Sequence, residues 1–181
     1  MSMKKDFVMP ILVLTLLCFL VSWTLAVGNN LTQPIIEEAS EQRAEAAMKD
    51  IIPLASGFEL MATQSFRNKG ILPKTVTAVF RTTNNIGYIF MVRSTGYGGE
   101  IQLLCGISPE GKVIKTVTLA QNETKGLGTP IFEEYHAGQY RGRDKQSIED
   151  VAAISGATIT SRALKNGIRD SFAAFEIVTT R

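Results

Sequence analysis

Three glycine-containing segments are the stretches in which this chain could bind or carry a reactive group. They read STGYGGE over 94–100, ETKGLGT over 123–129 and SGATITS over 155–161. The first two follow predicted strands. The third precedes a predicted helix, and the free N–H groups and positive dipole end of a helix N-terminus favour an anion such as a phosphate. Thr158 places a hydroxyl in the middle of this segment. Each segment alone also fits an ordinary tight turn.

The sequence offers few other groups with reactive chemistry. Its single histidine, His136, falls in a predicted surface helix, and Cys18 lies in an apolar run far from Cys105. No Ser-His-Asp arrangement, CxxC metal signature or disulfide framework is indicated. The GLGTPI stretch lacks both the P-loop lysine and the GxGxxG spacing. With a net charge of +2 and no basic block interleaved with aromatics, the sequence predicts no nucleic-acid partner.

The N-terminal region predicts a membrane anchor. Residues 7–27 carry no charge, and as a helix they can cross a hydrocarbon core of about 30 Å. Lys4 and Lys5 precede the run, and no basic residue follows before Arg43, which predicts a cytoplasmic N-terminus. The alternative is a cleaved signal peptide, whose apolar region is about 7–15 residues long. The longer run favours an uncleaved single-pass anchor in membrane lipid, with Trp23 at the far interface.

The rest of the chain predicts an α+β domain. We expect a polar connector over 28–34, a stalk or packing helix ending near Pro53, and a short helix over 130–138. A further helical turn is predicted with Ser147 as its cap, and a longer helix from Thr160 with Thr160 and Ser161 as caps. The helical spacing of the longer helix predicts one inner face: Ala163, Leu164, Gly167, Ile168, Ser171, Phe172 and Phe175. Strand-like segments with short connections predict a mostly antiparallel sheet flanked by helices: 75–82, 87–94, 100–108 and 112–120.

An N-terminal anchor followed by GYGG, ETKGLG and SGATITSRAL, in this order, resembles the G subunit of the Rnf electron-transport complex, a membrane-bound ion-translocating ferredoxin:NAD oxidoreductase. The C subunit of the sodium-translocating NADH:quinone reductase shares two of these elements. The resemblance covers nearly the whole chain. It implies a cytoplasmic N-terminus over 1–6, an anchor over 7–27, a connector and stalk helix over 28–56, and an extracytoplasmic FMN-binding domain over 57–181.

The resemblance also implies a covalent FMN, joined through its phosphate to Thr158 by a separate flavin transferase. The small residues before Thr158 leave its side chain accessible to that enzyme, and Arg162 is a possible partner for the phosphate. The other residues expected to bind the cofactor lie in the three segments: Ser155, Gly156, Ala157, Thr160, Tyr97, Gly98, Gly99, Glu123, Thr124, Gly126, Leu127 and Gly128.

The implied function is an electron relay in the cell (inner) membrane. The chain would work with other membrane and peripheral subunits of an Rnf-type complex and would have no independent catalytic activity. Two alternatives remain open at this point. One is the equivalent flavinylated C subunit of the quinone reductase, which should be longer. The other is a membrane-tethered binding or assembly domain without flavin.

Overall fold

The computed structural model describes residues 3–61 and 72–180. Residues 62–71 and Arg181, which belong to the expected domain 57–181, lie outside the described part, as do the side chains of Ile35 and Ile36 on the predicted helix face. Internal contacts divide the chain into two units, Met1–Arg43 and Ala44–Arg181. The second unit contains the sheet and all three glycine-containing segments.

Helix α1 spans Met3–Ile51. Within it, the 23 residues Val8–Asn30 are apolar and long enough to cross a membrane. At about 1.5 Å per residue this stretch is roughly 35 Å long, which exceeds the hydrocarbon core of about 30 Å. The predicted anchor is therefore a helix of sufficient length, with its apolar side chains exposed around it.

We predicted a polar connector over 28–34, between the anchor and the next helix. The structure has no such interruption, because residues 28–34 are helical and continue α1. Thr32 shows how a polar residue is accommodated: its hydroxyl donates a hydrogen bond to the Gly28 carbonyl one turn earlier, at 3.0 Å. Asn, Thr and Gln each cost only tenths of a kcal/mol relative to Ala in a helix. Pro34 in the same stretch has no N–H to donate and costs about 3 kcal/mol in a helix interior, so helix propensity alone does not explain why the helix continues here.

The sheet has five antiparallel strands, and their spatial order follows the chain. Four of them match the predicted strands, whereas the three-residue edge strand β1 was not predicted. The strands are β1 (Phe58–Leu60), β2 (Val76–Thr82), β3 (Tyr88–Thr95), β4 (Glu100–Ile107) and β5 (Val113–Ala120).

Both faces of the sheet are covered, which explains the nearly continuous burial of β4. Cys105 and Leu103 on one face belong to the main core, whereas Leu104 between them faces a second core. The second core receives the end of α1, where Met48 and Ile51 are buried. The helix predicted before Pro53 is thus confirmed as a packing helix at its C-terminal end.

The main core is closed by helix α3, Thr158–Thr179. Its inner face matches the predicted one, with Leu164, Ile168 and Phe172 buried. Gly167 lets α3 lie close to β4, because a Cβ atom at this position would stand 2.7 Å from Leu103 Cδ2. The sequence therefore predicted both the antiparallel sheet and the helix that packs on it.

The segment between β5 and α3 contains short helices: helix α2 (Glu134–Ala137) and 3₁₀ turns at Thr129–Phe132, Gly138–Tyr140 and Ser147–Asp150. Ser147 does not cap its turn, which has Gln146 in the cap position. The Ser147 hydroxyl is instead 2.7 Å from Asp144 Oδ1.

His136 lies in α2 as expected but not at the surface, since only 2% of it is exposed. Its ring packs edge-on against Tyr140, with 6.0 Å between the ring centroids. Burial lowers the pKa of His136, and the charge of Lys165 adds to the effect. Helix α2 has only four residues, two exposed and two buried. A helix this short shows no hydrophobic periodicity, so the burial of His136 could not be predicted from the sequence.

We expect Ile51→Ala to destabilise the domain by about 2–5 kcal/mol, because the removed side chain leaves a cavity between α1 and the sheet. Ile51 is 1% exposed. Leu54→Ala is the matched control, since Leu54 is 84% exposed and its loss should change stability by less than about 0.5 kcal/mol. Denaturant unfolding of the detergent-solubilised chain, followed by circular dichroism, measures both. Equal midpoints would contradict the packing role of the α1 end.

Candidate functional site

The three glycine-containing segments converge on one cavity of about 510 Å³. The first segment follows β3, the second follows β5, and the third leads into α3. Nine of the thirteen expected residues line the cavity, together with Ile159: Tyr97, Glu123, Thr124, Leu127, Gly128, Gly156, Ala157, Thr158 and Thr160. The other four are not among its lining residues: Gly98, Gly99, Gly126 and Ser155.

The carboxylate of Glu123 connects the three segments. The Gly98 N–H donates to Glu123 Oε1 at 3.0 Å, and the Thr160 hydroxyl donates to Glu123 Oε2 at 2.7 Å. Glu123 is only 8% exposed, so these two donors replace water at a buried charge. Each segment therefore supplies one partner of a single hydrogen-bonded group.

Two glycines allow the backbones to approach Glu123 closely. At Gly98 a Cβ atom would collide with the Asn122 backbone carbonyl, and at Gly128 it would lie 2.8 Å from Glu123 Cβ. These glycines are required by close packing around the carboxylate rather than by turn geometry. Gly98 thus belongs to the site through its hydrogen bond to Glu123, although it does not line the cavity.

Thr158 is the first residue of α3 and its side chain is exposed. Gly156 makes the turn before it with φ +81°, a conformation that few residues other than glycine adopt. The helix follows Ala157, which makes no side-chain capping bond. The first-turn N–H groups of a helix have no intrahelical acceptor, and the dipole there favours negative charge. The Thr158 hydroxyl therefore stands where a phosphoryl group would be stabilised.

The expectation that Thr160 and Ser161 cap α3 is wrong, because the helix begins two residues earlier. Both residues are 2% exposed. Thr160 donates to Glu123, and the Ser161 hydroxyl accepts a hydrogen bond from the Ile154 N–H at 3.1 Å. Their hydroxyls bind neighbouring segments instead of the helix's own N–H groups, since the inner face of α3 meets those segments in its first turn.

Exposed apolar side chains give the cavity a surface suited to a flat ring. Tyr97 is 72% exposed, Leu127 50% and Ile159 53%. Large apolar groups that are exposed together around a cavity typically mark a ligand site. Sequence reasoning missed Ile159. The available signal was its place next to Thr158, one residue before the predicted start of the helix at Thr160.

Comparison with known proteins agrees with this geometry. Residues 96–173 match the family model of the FMN-binding domain, a stretch that contains nearly all of the three segments. The chain is 31% identical over 176 residues to the G subunit of the proton-translocating ferredoxin:NAD(+) oxidoreductase complex of Clostridium ljungdahlii, covering 92% of this chain and 89% of that one. The chain belongs to this family of G subunits.

Two further members of the G-subunit family are similarly related. The G subunit of the Na(+)-translocating ferredoxin:NAD(+) oxidoreductase complex of Acetobacterium woodii is 27% identical, with 91% of this chain and 89% of that protein covered. The G subunit of an ion-translocating oxidoreductase complex of Methanosarcina acetivorans is also 27% identical, over 94% and 95% of the two chains. The family resemblance inferred from the motifs is thereby confirmed, and so is the FMN-binding domain.

In this member of the G-subunit family, Thr160→Val should destabilise the domain by about 1–3 kcal/mol, because Glu123 then keeps a buried oxygen without its donor. The shape of the side chain is nearly unchanged, so packing contributes little. Thr158→Val is the control, since Thr158 is exposed and makes no capping bond; its effect should stay within about 0.5 kcal/mol. Thermal unfolding of both variants tests this. Equal stability would show that the Thr160–Glu123 bond is dispensable.

Proposed function

We propose that this chain is the flavin-carrying electron-transfer subunit of an Rnf-type ion-translocating ferredoxin:NAD oxidoreductase complex, with FMN joined through its phosphate to Thr158. The observation that carries the proposal is the exposed Thr158 hydroxyl at the edge of a cavity built by all three segments. Membership in the G-subunit family supports the assembly. The other membrane and peripheral subunits would then be its partners.

The cavity fits the cofactor in size and chemistry. Its volume of about 510 Å³ lies within the usual range of roughly 300–1,000 Å³ for small-molecule sites. Tyr97, Leu127 and Ile159 would contact the flavin ring, while bare backbone at the glycines allows close approach. Thr158 would hold the phosphate. Bound FMN would supply the electron transfer, for which the described side chains offer no redox group of their own beyond two cysteines.

The two described cysteines are poorly placed to take part in electron transfer. Cys105 is fully buried in β4, and burial raises the pKa of its thiol to about 12. The protonated thiol is a weak nucleophile, and it lies in the core instead of the cavity. Cys18 lies in the candidate membrane span. The electron relay therefore depends on an added cofactor.

The protein's part in the chemistry is attachment and positioning. In forming the ester, Thr158 Oγ1 exchanges its hydrogen for a bond to phosphorus, and a flavin transferase has to supply the flavin phosphate in activated form with its own leaving group. Glu123 keeps the surrounding segments in place through Gly98 and Thr160. A covalent link would retain the flavin on a shallow, exposed site where binding alone would let it dissociate.

We also propose that α1 anchors the chain as a single span with a cytoplasmic N-terminus and an extracytoplasmic domain. The positions of Lys4 and Lys5 before the candidate span Val8–Asn30 support this orientation. Short positively charged flanks are retained on the cytoplasmic side during insertion. The flavin would then lie on the outer face of the membrane.

Thr158→Ala should abolish flavin fluorescence that survives denaturing electrophoresis, because no ester can form, when the chain is produced together with a flavin transferase. Ser155→Ala is the matched control, since Ser155 is also an exposed hydroxyl in the same segment; it should retain the fluorescence. Thr160 should not carry the flavin, since its hydroxyl is buried against Glu123. A fluorescent Thr158→Ala band would refute the attachment site.

A reporter enzyme that works only in the cytoplasm should be inactive when fused after residue 181, and one that works only outside should be active. Replacing Lys4 and Lys5 by glutamine should weaken this preference, because the positive flank is lost. Intact mass of the membrane-extracted chain provides a second readout: it should include the N-terminal residues. A mature chain starting near Gly28 would show a cleaved signal peptide instead of an anchor.

A further inference from the structure

A second cavity, of about 390 Å³, also reaches Thr158. The apolar side chains of the first cavity, Tyr97, Leu127 and Ile159, do not line it. Thr158 is the one residue that the two cavities share. Its lining includes the charged or hydroxyl-bearing side chains of Tyr140, Glu149, Arg162, Lys165 and Arg169.

Three cations of α3 line this second cavity. Arg162, Lys165 and Arg169 lie four, seven and eleven residues after Thr158, so they follow one helix face from it. Glu149 is the single carboxylate among the lining residues. The cavity is therefore positively charged overall, in addition to the positive end of the helix dipole at Thr158.

Glu149 forms ion pairs with two of these cations. It accepts from Arg169 Nη2 at 2.6 Å, and its Oε2 lies 3.8 Å from Lys165 Nζ. The Arg169 hydrogen bond is the main reason that the pKa of Glu149 is lowered. Arg162 makes no ion pair with any residue in 3–61 or 72–180. Its guanidinium is the cation left to neutralise a ligand.

Tyr140 offers the cavity a hydrogen-bond donor. It is only 1% exposed and lines the cavity, yet its hydroxyl forms no hydrogen bond within the described part of the chain. The hydroxyl oxygen is not one of the fully buried atoms that lack a partner, so it is accessible although the rest of the side chain is buried. Burial, with the nearby Glu149 charge, raises the pKa of Tyr140 to about 12. The phenol therefore remains protonated and can donate to an acceptor in the cavity.

We propose that this second cavity binds the phosphate of the flavin attached to Thr158, with Arg162 and the Tyr140 hydroxyl as its positioning residues. The proposal rests on the proposed function. A phosphodiester keeps one negative charge and two acceptor oxygens, which match a guanidinium and a phenolic donor. The flavin ring would then lie in the first cavity and its phosphate in the second, with Thr158 lining both cavities.

The experiment uses the whole chain in detergent and has two arms. In the first, the chain made without flavin transferase is titrated with inorganic phosphate and followed by ³¹P line broadening. In the second, the flavinylated chain is examined by ³¹P NMR after intact mass confirms the attachment. Arg162→Gln and Tyr140→Phe are compared with Lys125→Gln. This control removes an exposed cation of the ETKGLGT segment that lines neither cavity.

Arg162→Gln should weaken phosphate binding about tenfold or more, as expected for loss of a hydrogen bond to a charged group. Tyr140→Phe should weaken it less, and both should shift the flavin ³¹P resonance, whereas Lys125→Gln should do neither. Wild-type resonances in flavinylated Arg162→Gln and Tyr140→Phe would overturn the proposal, even if free phosphate binds. A wild-type chain without attached flavin would refute the proposed function, and the phosphate titration would still decide whether the cavity is an anion site. Arg162 is exposed, so its variant should fold.

Discussion

The buried carboxylate of Glu123 holds the site together, because its two oxygens accept hydrogen bonds from two segments that are distant in sequence. A buried charge is costly unless its oxygens are satisfied, so displacing either Gly98 or Thr160 would be penalised. The glycines around it follow from the same demand, since side chains at Gly98 and Gly128 would occupy the space that the contacts need. The shape of the cavity is thus set by one anion and its donors.

The position of Thr158 depends in turn on the packing of α3. Leu164, Ile168 and Phe172 fix the helix on one face of the sheet, and the end of α1 covers the other face through Met48 and Ile51. With both faces covered, the sheet is a rigid support, and the N-terminus of α3 is held where the strand ends deliver the other two segments. The exposed Thr158 hydroxyl is therefore carried by the first residue of a packed helix.

The sequence predicted those parts of the molecule that depend on local pattern. Alternating strands with short turns gave the antiparallel sheet, the inner face of α3 was assigned by its periodicity, and the motif order identified the family. What could not be predicted depended on contacts between distant residues. Thr160 looked like a cap, but its buried partner is Glu123, 37 residues away. The cavity with basic side chains beside Thr158 includes Tyr140, and no sequence pattern indicates that Tyr140 lies there.

The order of the strands affects how the domain folds. Each strand after β1 pairs with the strand that precedes it in the chain, so the sheet has mostly short-range pairings of the kind that form quickly. Helix α3 follows all five strands in the described part of the chain, and it contributes both Thr158 and the closing layer of the main core. The sheet can therefore form before α3 packs on it, whereas the cavity at the N-terminus of α3 is complete only after that packing.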